Sequence, residues 1–596
     1  MILIYNKFKL LLSPSQKKGI YLVWFLMFLS SIVQAFGVFS IIPFIAVVGN
    51  PEIIRNNEYL FKVFSFFNFE SDLSFLIFLG AAFLIFIIFS NLIKGLSQWM
   101  QMRFIRDVST DMQTQLFQSY LNKPYSFYLT RNTSNMSKTL LGETNQVTTG
   151  VLIPYLEMVS QGLISITLVL LLFITDPIIA IVSVLVLGGL YGVIFYMIKK
   201  KLNFYGIERV KLQGRRFKSA TEGLNGIKEI KIFGRESTFL NSFRAAADGV
   251  LKISERARLF QLMPPIFMEI ITFGGLLTIV LYLLLTLGSI GNALPFLTLY
   301  AMAGYKLKPA LQHYFSNSAT IRFNIPALES VLEDYSLSIK EKNQIIESRK
   351  ENRISLKKCI EIKNISFSYP NTKELFTDLS LKLPARKSYA FVGSTGSGKS
   401  TLVDIIIGLL HPQKGGLFVD DIHINDHNIR DWQNNIGYIP QHIYLADTSL
   451  RENIAFGIKP ADIDDNRIKE VAEIANLHDY ISELPKGYKT VVGERGVRLS
   501  GGQRQRIGIA RALYHDPDVL VMDEATSALD NTTEAAVMNA IDRLSGEITI
   551  IMIAHRLTTV RKCDEIFLLS NGKIQASGTY EELFHKNATF KEMVES

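Results

Sequence analysis

The sequence predicts a multi-domain chain in which an all-α, six-helix transmembrane domain precedes an α/β domain built around a phosphate-binding P-loop. Three observations carry this expectation. Six apolar stretches of membrane length fall before residue 325. The run GSTGSGKS, Gly393 to Ser400, follows the apolar Tyr389–Val392 and leads into a helical pattern from Leu402 to Leu410. The apolar Val519–Met522 reads as a buried parallel strand, and it ends in Asp523 and Glu524 at the sheet edge where open α/β folds bind ligands.

The bulk properties agree. A chain of 596 residues exceeds one hydrophobic core, and 48% hydrophobic content suits a membrane protein better than a soluble enzyme. The net charge is +9, but Lys and Arg outnumber Asp and Glu by 30 to 16 before Ile325 and trail them by 33 to 38 afterwards. The basic residues sit in loops between apolar spans and not in a stripe with interleaved aromatics, which argues against a nucleic-acid partner. Cys359 and Cys563 are too few for a disulfide framework.

The first nineteen residues carry Lys7, Lys9, Lys17 and Lys18 and no acid. The apolar run Ile20–Val48 that follows is too long for a signal peptide, so it is expected to be a first span with its N-terminus inside. Further spans are expected at Leu73–Ile93, Pro154–Ile174, Ile178–Ile198, Ile266–Leu287 and Ala293 to about Leu311, each near the ~20 residues a bilayer core requires. The connections obey the positive-inside rule: Gly49–Asp72 has two basic residues, whereas Lys199–Arg258 has fifteen. Both termini and the α/β domain are therefore expected in the cytoplasm, with Arg103–Phe117 and Phe204–Glu222 as helices continuing past the membrane.

Two features bear on cargo. In Glu58–Phe67, Tyr59, Leu60, Val63, Phe64 and Phe67 recur at helical spacing, so a short external helix lies on the outer membrane surface or packs on its neighbours. Lys94, Glu157, Glu269, Lys306 and Lys308 fall toward the cytoplasmic ends of their spans. Either they snorkel into the headgroups, or the lysines form a basic entrance for a phosphate-bearing headgroup.

After the spans the composition turns polar, giving an expected division into a membrane domain at 1–325, a linker at 326–356 and a nucleotide-binding domain at 357–596. IEIKNISFSY alternates as an edge strand should. The P-loop residues Gly393, Ser394, Thr395, Gly396, Ser397, Gly398, Lys399, Ser400 and Thr401 supply backbone N–H groups and a cation for the phosphates of ATP, and Ser400 offers its hydroxyl to Mg²⁺.

The LSGGQ run at Leu499–Gln503, just ahead of the acidic pair, makes the sequence resemble the ABC transporter ATPase family over nearly all of Cys359–Ser596. With six spans ahead of it, the whole chain resembles an exporter-type half-transporter. The resemblance implies that Ser500, Gly501, Gly502 and Gln503 cap the nucleotide held by the P-loop of a second subunit, so that a homodimer is the working form. It further implies that Tyr369 stacks on adenine and that Gln441 contacts Mg²⁺ and the attacking water. Asp523 would hold Mg²⁺ beside Ser400 and Gln441. Glu524 would be the general base, and His555, in TIIMIAHRL, would reach the γ-phosphate. Ser527–Asp530 matches a loop reaching across the dimer, and TVVGERG at Thr490–Gly496 looks like the segment exporters place against a coupling helix, for which Thr133–Glu143 and Gly223–Phe233 are the candidates.

The external segment resembles that of bacterial lipid-linked oligosaccharide flippases, and the chain is also similar to lipid A exporters. These resemblances imply an amphipathic lipid or lipid-linked saccharide, moved outward across a bacterial inner membrane. They depart at one point, because this chain has no Arg in its spans where that flippase group has arginines. A peptide or drug exporter, or an ATP-gated channel, would carry similar ATPase motifs.

Overall fold

The computed structural model describes residues 2–175, 177, 181, 189–287, 290–339, 352–370, 372–523, 531–554 and 559–595. They form two compact units, Met1–Lys123 with Arg131–Ile345, and Pro124–Thr130 with Ile346–Ser596.

The first unit is helical. Pro14–Phe39 (α1) opens on Ser13, whose side chain and that of Gln16 cap each other's backbone. The expected first span is broken at Ser40, and Ile41–Gly49 (α2) completes it. Pro43 gives the reason: it has no N–H for the carbonyl of residue 39, so an unbroken helix would leave that group without its bond. The external segment is a helix, Glu58–Phe66 (α3), and Asp72–Leu121 (α4) runs unbroken for 50 residues, so that Arg103–Phe117 is helical as expected.

Pro124–Thr130 includes a short helix, Tyr125–Thr130 (α5). Two π-helical stretches, Lys138–Glu143 and Thr148–Leu152, precede Ile153–Thr175 (α6). Gly189–Asn225 (α7), Glu236–Leu287 (α8) and Ile290–Ile339 (α9) complete the unit. Among the described residues, Pro14–Gly49, Asp72–Leu121 and Thr133–Ile174 are long and apolar enough to cross a membrane. The expected span at Ile178–Ile198 lies partly outside the described residues, while those at Ile266–Leu287 and Ala293–Leu311 are parts of α8 and α9.

The segment expected as a linker from residue 326 is still helix as far as Ile339. Ala327, Leu328, Val331 and Tyr335 are buried in a cluster with Phe8, Leu11 and Val108, and this packing extends the helix beyond its apolar span. Where α7 passes α9, Gly206 allows near backbone contact: a Cβ there would lie 2.2 Å from the Phe323 carbonyl oxygen. Only glycine fits that crossing.

The second unit contains two sheets. Cys359–Phe367 (β1), Phe376–Pro384 (β2), Lys414–Val419 (β4) and Ile422–His423 (β5) form an antiparallel sheet in the order β2-β1-β4-β5. β1 is therefore interior and not the edge strand expected. Its alternation reflects one wet face, a property that interior antiparallel strands share.

The second sheet has the order β10-β9-β3-β8-β7-β6, from Ser388–Val392 (β3), Ile436–Ile439 (β6), Val519–Asp523 (β7), Thr549–Ile553 (β8), Glu565–Ser570 (β9) and Lys573–Gly578 (β10). All its pairings are parallel except that of β10. Continuous apolar runs such as β3 and β8, buried at every position, are what a sheet covered on both faces demands.

Candidate active site

Parallel strands deliver their following loops to one edge, and here β3, β8, β7 and β6 are consecutive neighbours. Register fixes the level: Phe391 and Asp523 both lie opposite Ile553, and Met522 lies opposite Ile439. The P-loop, Asp523 and the chain leading to Gln441 therefore leave the sheet side by side. β8 ends at the same edge. His555, Glu524 and Ser527–Asp530 themselves lie outside the described residues.

The loop Gly393–Gly398 turns directly from β3 into the helix Lys399–Ile406 (α10). Gly393 has φ +149°, and a Cβ on it would meet the Leu569 carbonyl oxygen at 2.2 Å, so the loop starts where no side chain fits. Lys399 is buried, with its Nζ donating to the carbonyl oxygens of Gly393 (2.8 Å) and Ser394 (3.0 Å). Its ammonium is thus held within the loop. Ser397 Oγ is buried and has no hydrogen-bond partner among the described residues. A buried cation, an unsatisfied hydroxyl and a glycine-lined turn at a helix N-terminus fit a polyphosphate.

The last turn of α10 is tied down by Trp432, fully buried, whose indole N–H donates to the Ile406 carbonyl at 2.9 Å. Gln433 donates to the carbonyls of Ile407 and Gly408. These bonds satisfy acceptors that a helix end leaves open, and they fix the axis along which the P-loop points. Tyr369 is half-buried, its hydroxyl 2.9 Å from that of Thr401 and its ring edge-on to Phe367. That places an aromatic side chain beside the first turn of the P-loop helix.

Ser400 is exposed in that first turn, Asp523 is half-buried at the end of β7, and Gln441 is exposed two residues beyond β6. A hydroxyl, a carboxylate and an amide oxygen at one sheet edge are hard ligands of the kind Mg²⁺ accepts alongside phosphates and water.

Sequence reading missed Asp404, one helical turn beyond Ser400. Its carboxyl is pushed up to about 6, first by burial and then by the negative charge of Asp523. The same two carboxylates, after burial itself, hold the Tyr438 phenol above its ordinary value. Because the folded state keeps the Asp404 proton more tightly than the unfolded chain does, stability falls as pH rises from about 4 to about 6 and then levels. Asp404→Asn is expected to stabilise the ATPase unit by about 1–2 kcal/mol at pH 7.5, after discounting for partial solvation, and by nothing measurable near pH 4. Scanning calorimetry of the full chain at the two pH values checks this.

Ser500 caps a second helix, Gly501–Tyr514 (α11), with its hydroxyl accepting from the Gln503 N–H (3.2 Å) and its own N–H donating to Gln503 Oε1 (2.8 Å). Leu499 is buried while Ser500 is exposed, so the LSGGQ run anchors by its leucine and presents a helix N-terminus to solvent.

The model of the ABC transporter family matches residues 376–527, and that of the ABC transporter transmembrane region matches 56–305. The chain is 32% identical over 496 residues to an ATP-dependent lipid A-core flippase of Saccharophagus degradans, covering 82% of each protein. The chain belongs to the ABC transporter family. The transporter is also 28% identical to an ATP-dependent lipid A-core flippase of Pseudomonas fluorescens, over 83% of this chain and 82% of that protein. A solved bacterial Atm1-family ABC exporter with ATP bound shares the fold, with a TM-score of 0.76 over 97% of each chain at 21% identity. The transporter is accordingly a multi-pass membrane protein in which ATP hydrolysis is coupled to transport.

Of the two expected coupling segments, Thr133–Glu143 lies in the helical unit, with Ser134, Met136, Lys138, Thr139 and Glu143 buried, and so does Gly223–Phe233. The segment grouped with the ATPase residues is Pro124–Thr130. The Tyr125 phenol is raised above its ordinary value by burial and then by the charge of Asp404.

Proposed function

We propose that the transporter flips an amphipathic lipid or lipid-linked saccharide with an anionic headgroup from the inner leaflet outward, by alternating access. One observation carries the headgroup. Lys94 on α4 and Lys306 on α9 are both half-buried, Lys94 is close enough for its charge to act on Lys306, and neither has an acidic partner among the described residues. Two like charges held together in a membrane domain are costly unless an anion completes them. The other charges at this level differ: Lys308 pairs with Glu269 at 3.5 Å, and Glu157 accepts from Asn317 at 3.1 Å.

The outer surface supports the same reading. Leu60 and Phe64 of α3 pack on a cluster around Phe75, while Tyr59 (78% exposed) and Phe66 (80% exposed) face outward. An aromatic face of this kind suits an acyl or polyprenyl chain at the membrane surface. The lipid A-core flippases among the relatives agree in class.

In this reading the working form is a homodimer, since each chain carries one P-loop and one LSGGQ run that two-fold pairing turns into two equivalent sites. ATP lies between Lys399 of one subunit and Ser500, Gly501 and Gly502 of the other, with Tyr369 against the adenine. Glu524 takes the proton of the attacking water, which Gln441 orients, and His555 donates to the γ-phosphate. Ser400 and Asp523, with Gln441, would hold Mg²⁺, which would supply positive charge against the developing phosphate charge. Hydrolysis removes the γ-phosphate contacts that favour the closed pair, and the membrane helices follow. The fifteen basic residues in Lys199–Arg258 favour a cytoplasmic ATPase with both termini on that side of a bacterial inner membrane.

Reconstitution with lipid A and with its dephosphorylated form tests the cargo. Lipid A is expected to stimulate ATPase and to be flipped, and the dephosphorylated lipid to do so poorly. Lys306→Gln is expected to raise the half-maximal lipid concentration about tenfold or more, the effect of losing one charge-assisted contact. Unchanged stimulation and transport in that variant would remove the anionic-headgroup reading.

A further inference from the structure

The chain leaves the helical unit after Lys123 and rejoins it at Arg131, and the intervening Pro124–Thr130 groups with the ATPase residues. Such an excursion could flex at its base and absorb any displacement of its tip. Its base is not free to flex, because both sides of it are bonded to one buried carboxylate. Tyr120, the penultimate residue of α4, donates its hydroxyl to Asp334 Oδ2 at 2.6 Å. Arg131, the first residue back, donates Nη1 to Asp334 Oδ1 at 2.8 Å.

Asp334 is 8% exposed and Tyr120 6%. Both carboxylate oxygens are engaged, so the side chain cannot rotate without surrendering a charge-assisted bond; the Tyr120 bond is buried, where its loss is most costly, while Arg131 is 38% exposed and ties the returning chain from the solvent side. Thr139, further along the returning chain, lies close enough to act on the same tyrosine hydroxyl. The neighbouring Tyr335 bonds Gln115, one turn back on α4. Asp334 belongs to the last two turns of α9, the helix that continues the sixth expected span.

We propose that Asp334 is a positioning residue for coupled transport: by holding Tyr120 and Arg131 on its two carboxylate oxygens, it makes the 121–130 excursion a stiff lever on α9. A nucleotide-driven displacement of Pro124–Thr130 then moves the end of α9 instead of bending the loop. The same node joins α4 to α9, so the second and sixth spans move as a pair at their cytoplasmic ends. The inference rests on alternating access but not on the cargo, so an unchanged Lys306→Gln variant would leave it standing.

Hydrogen exchange on the full chain in phosphatidylethanolamine–phosphatidylglycerol liposomes, with and without ATP plus vanadate, tests it. In the wild type, nucleotide is expected to change exchange both in P-loop peptides (393–410) and in α9 peptides (300–330). In Asp334→Asn the P-loop change is expected to persist and the KM for ATP to stay within about twofold, while the α9 change falls to about a fifth or less. Tyr120→Phe, which deletes one hydroxyl, should fall between the two, and it serves alone if Asp334→Asn does not fold.

Glu143→Gln is the control. It disturbs the buried pair of Glu143 with Arg209 (3.3 Å), which does not flank the excursion, and it is expected to keep the α9 response. A purely structural role would raise α9 exchange equally with and without nucleotide. That result, a full α9 response in Asp334→Asn or Tyr120→Phe, an equal loss in the control, or no α9 response in the wild type would overturn the proposal.

Discussion

Lys399→Ala is expected to abolish ATP-driven transport and to lower ATP hydrolysis by about 10²–10³-fold or more, the range seen when one preorganised donor to developing oxyanion charge is removed. The ammonium is buried and held on the carbonyls of Gly393 and Ser394, so its position is set before nucleotide arrives and little reorganisation is needed during reaction. Alanine removes the charge and leaves the glycine turn in place. The loss should therefore be larger in kcat than in the yield or thermal midpoint of the protein. Phosphate release at saturating ATP, beside a melting curve, separates the two. Near-wild-type hydrolysis would mean that the loop does not hold the transferred phosphate.

Glu524→Gln is expected to give the second large effect, a fall in turnover of roughly 10³-fold, within the range for loss of a general base. ATP binding should survive, because the amide keeps the size of the side chain and leaves Lys399 and Ser500 untouched. If two chains close over two nucleotides, this variant accumulates as a closed pair in ATP. Light scattering and subunit cross-linking with and without ATP read that directly. Transport at the wild-type rate would exclude Glu524 as the base. Slow turnover with no ATP-dependent tightening between subunits would instead exclude the shared site.

The residues that could be read from the sequence are those whose chemistry fixes their spacing. GSTGSGKS must lie between a strand and a helix, and it does, between β3 and α10. Ser500 caps α11 because a serine three residues before a glutamine is itself a helix start. The length of α4 and α7 followed from periodicity continuing past an apolar run. What escaped depends on contacts far apart in the chain. β1 looked like an edge strand because alternation reports a wet face and says nothing of the neighbours, which come from β2 and β4. Pro124–Thr130 carries no charge and little helical pattern, so nothing in the sequence marks it as grouping with the ATPase residues. Asp404 and Asp334 are ordinary acids in the sequence. Only the fold brings Asp523 near the one, and Tyr120 and Arg131, more than two hundred residues away, onto the other.

The crossing of α7 and α9 at Gly206 has a mechanical consequence. With the Phe323 carbonyl at the edge of the space a Cβ would take, the two rods touch main chain to main chain at one level, with the Pro326 ring beside the contact. Translation of one rod along the other would drive bulkier neighbours into that notch, and rotation would have to displace Leu202 and Phe315, which are buried in one cluster between them. The crossing is therefore a lock: it sets how near the rods lie, and a single added methyl would act as a wedge.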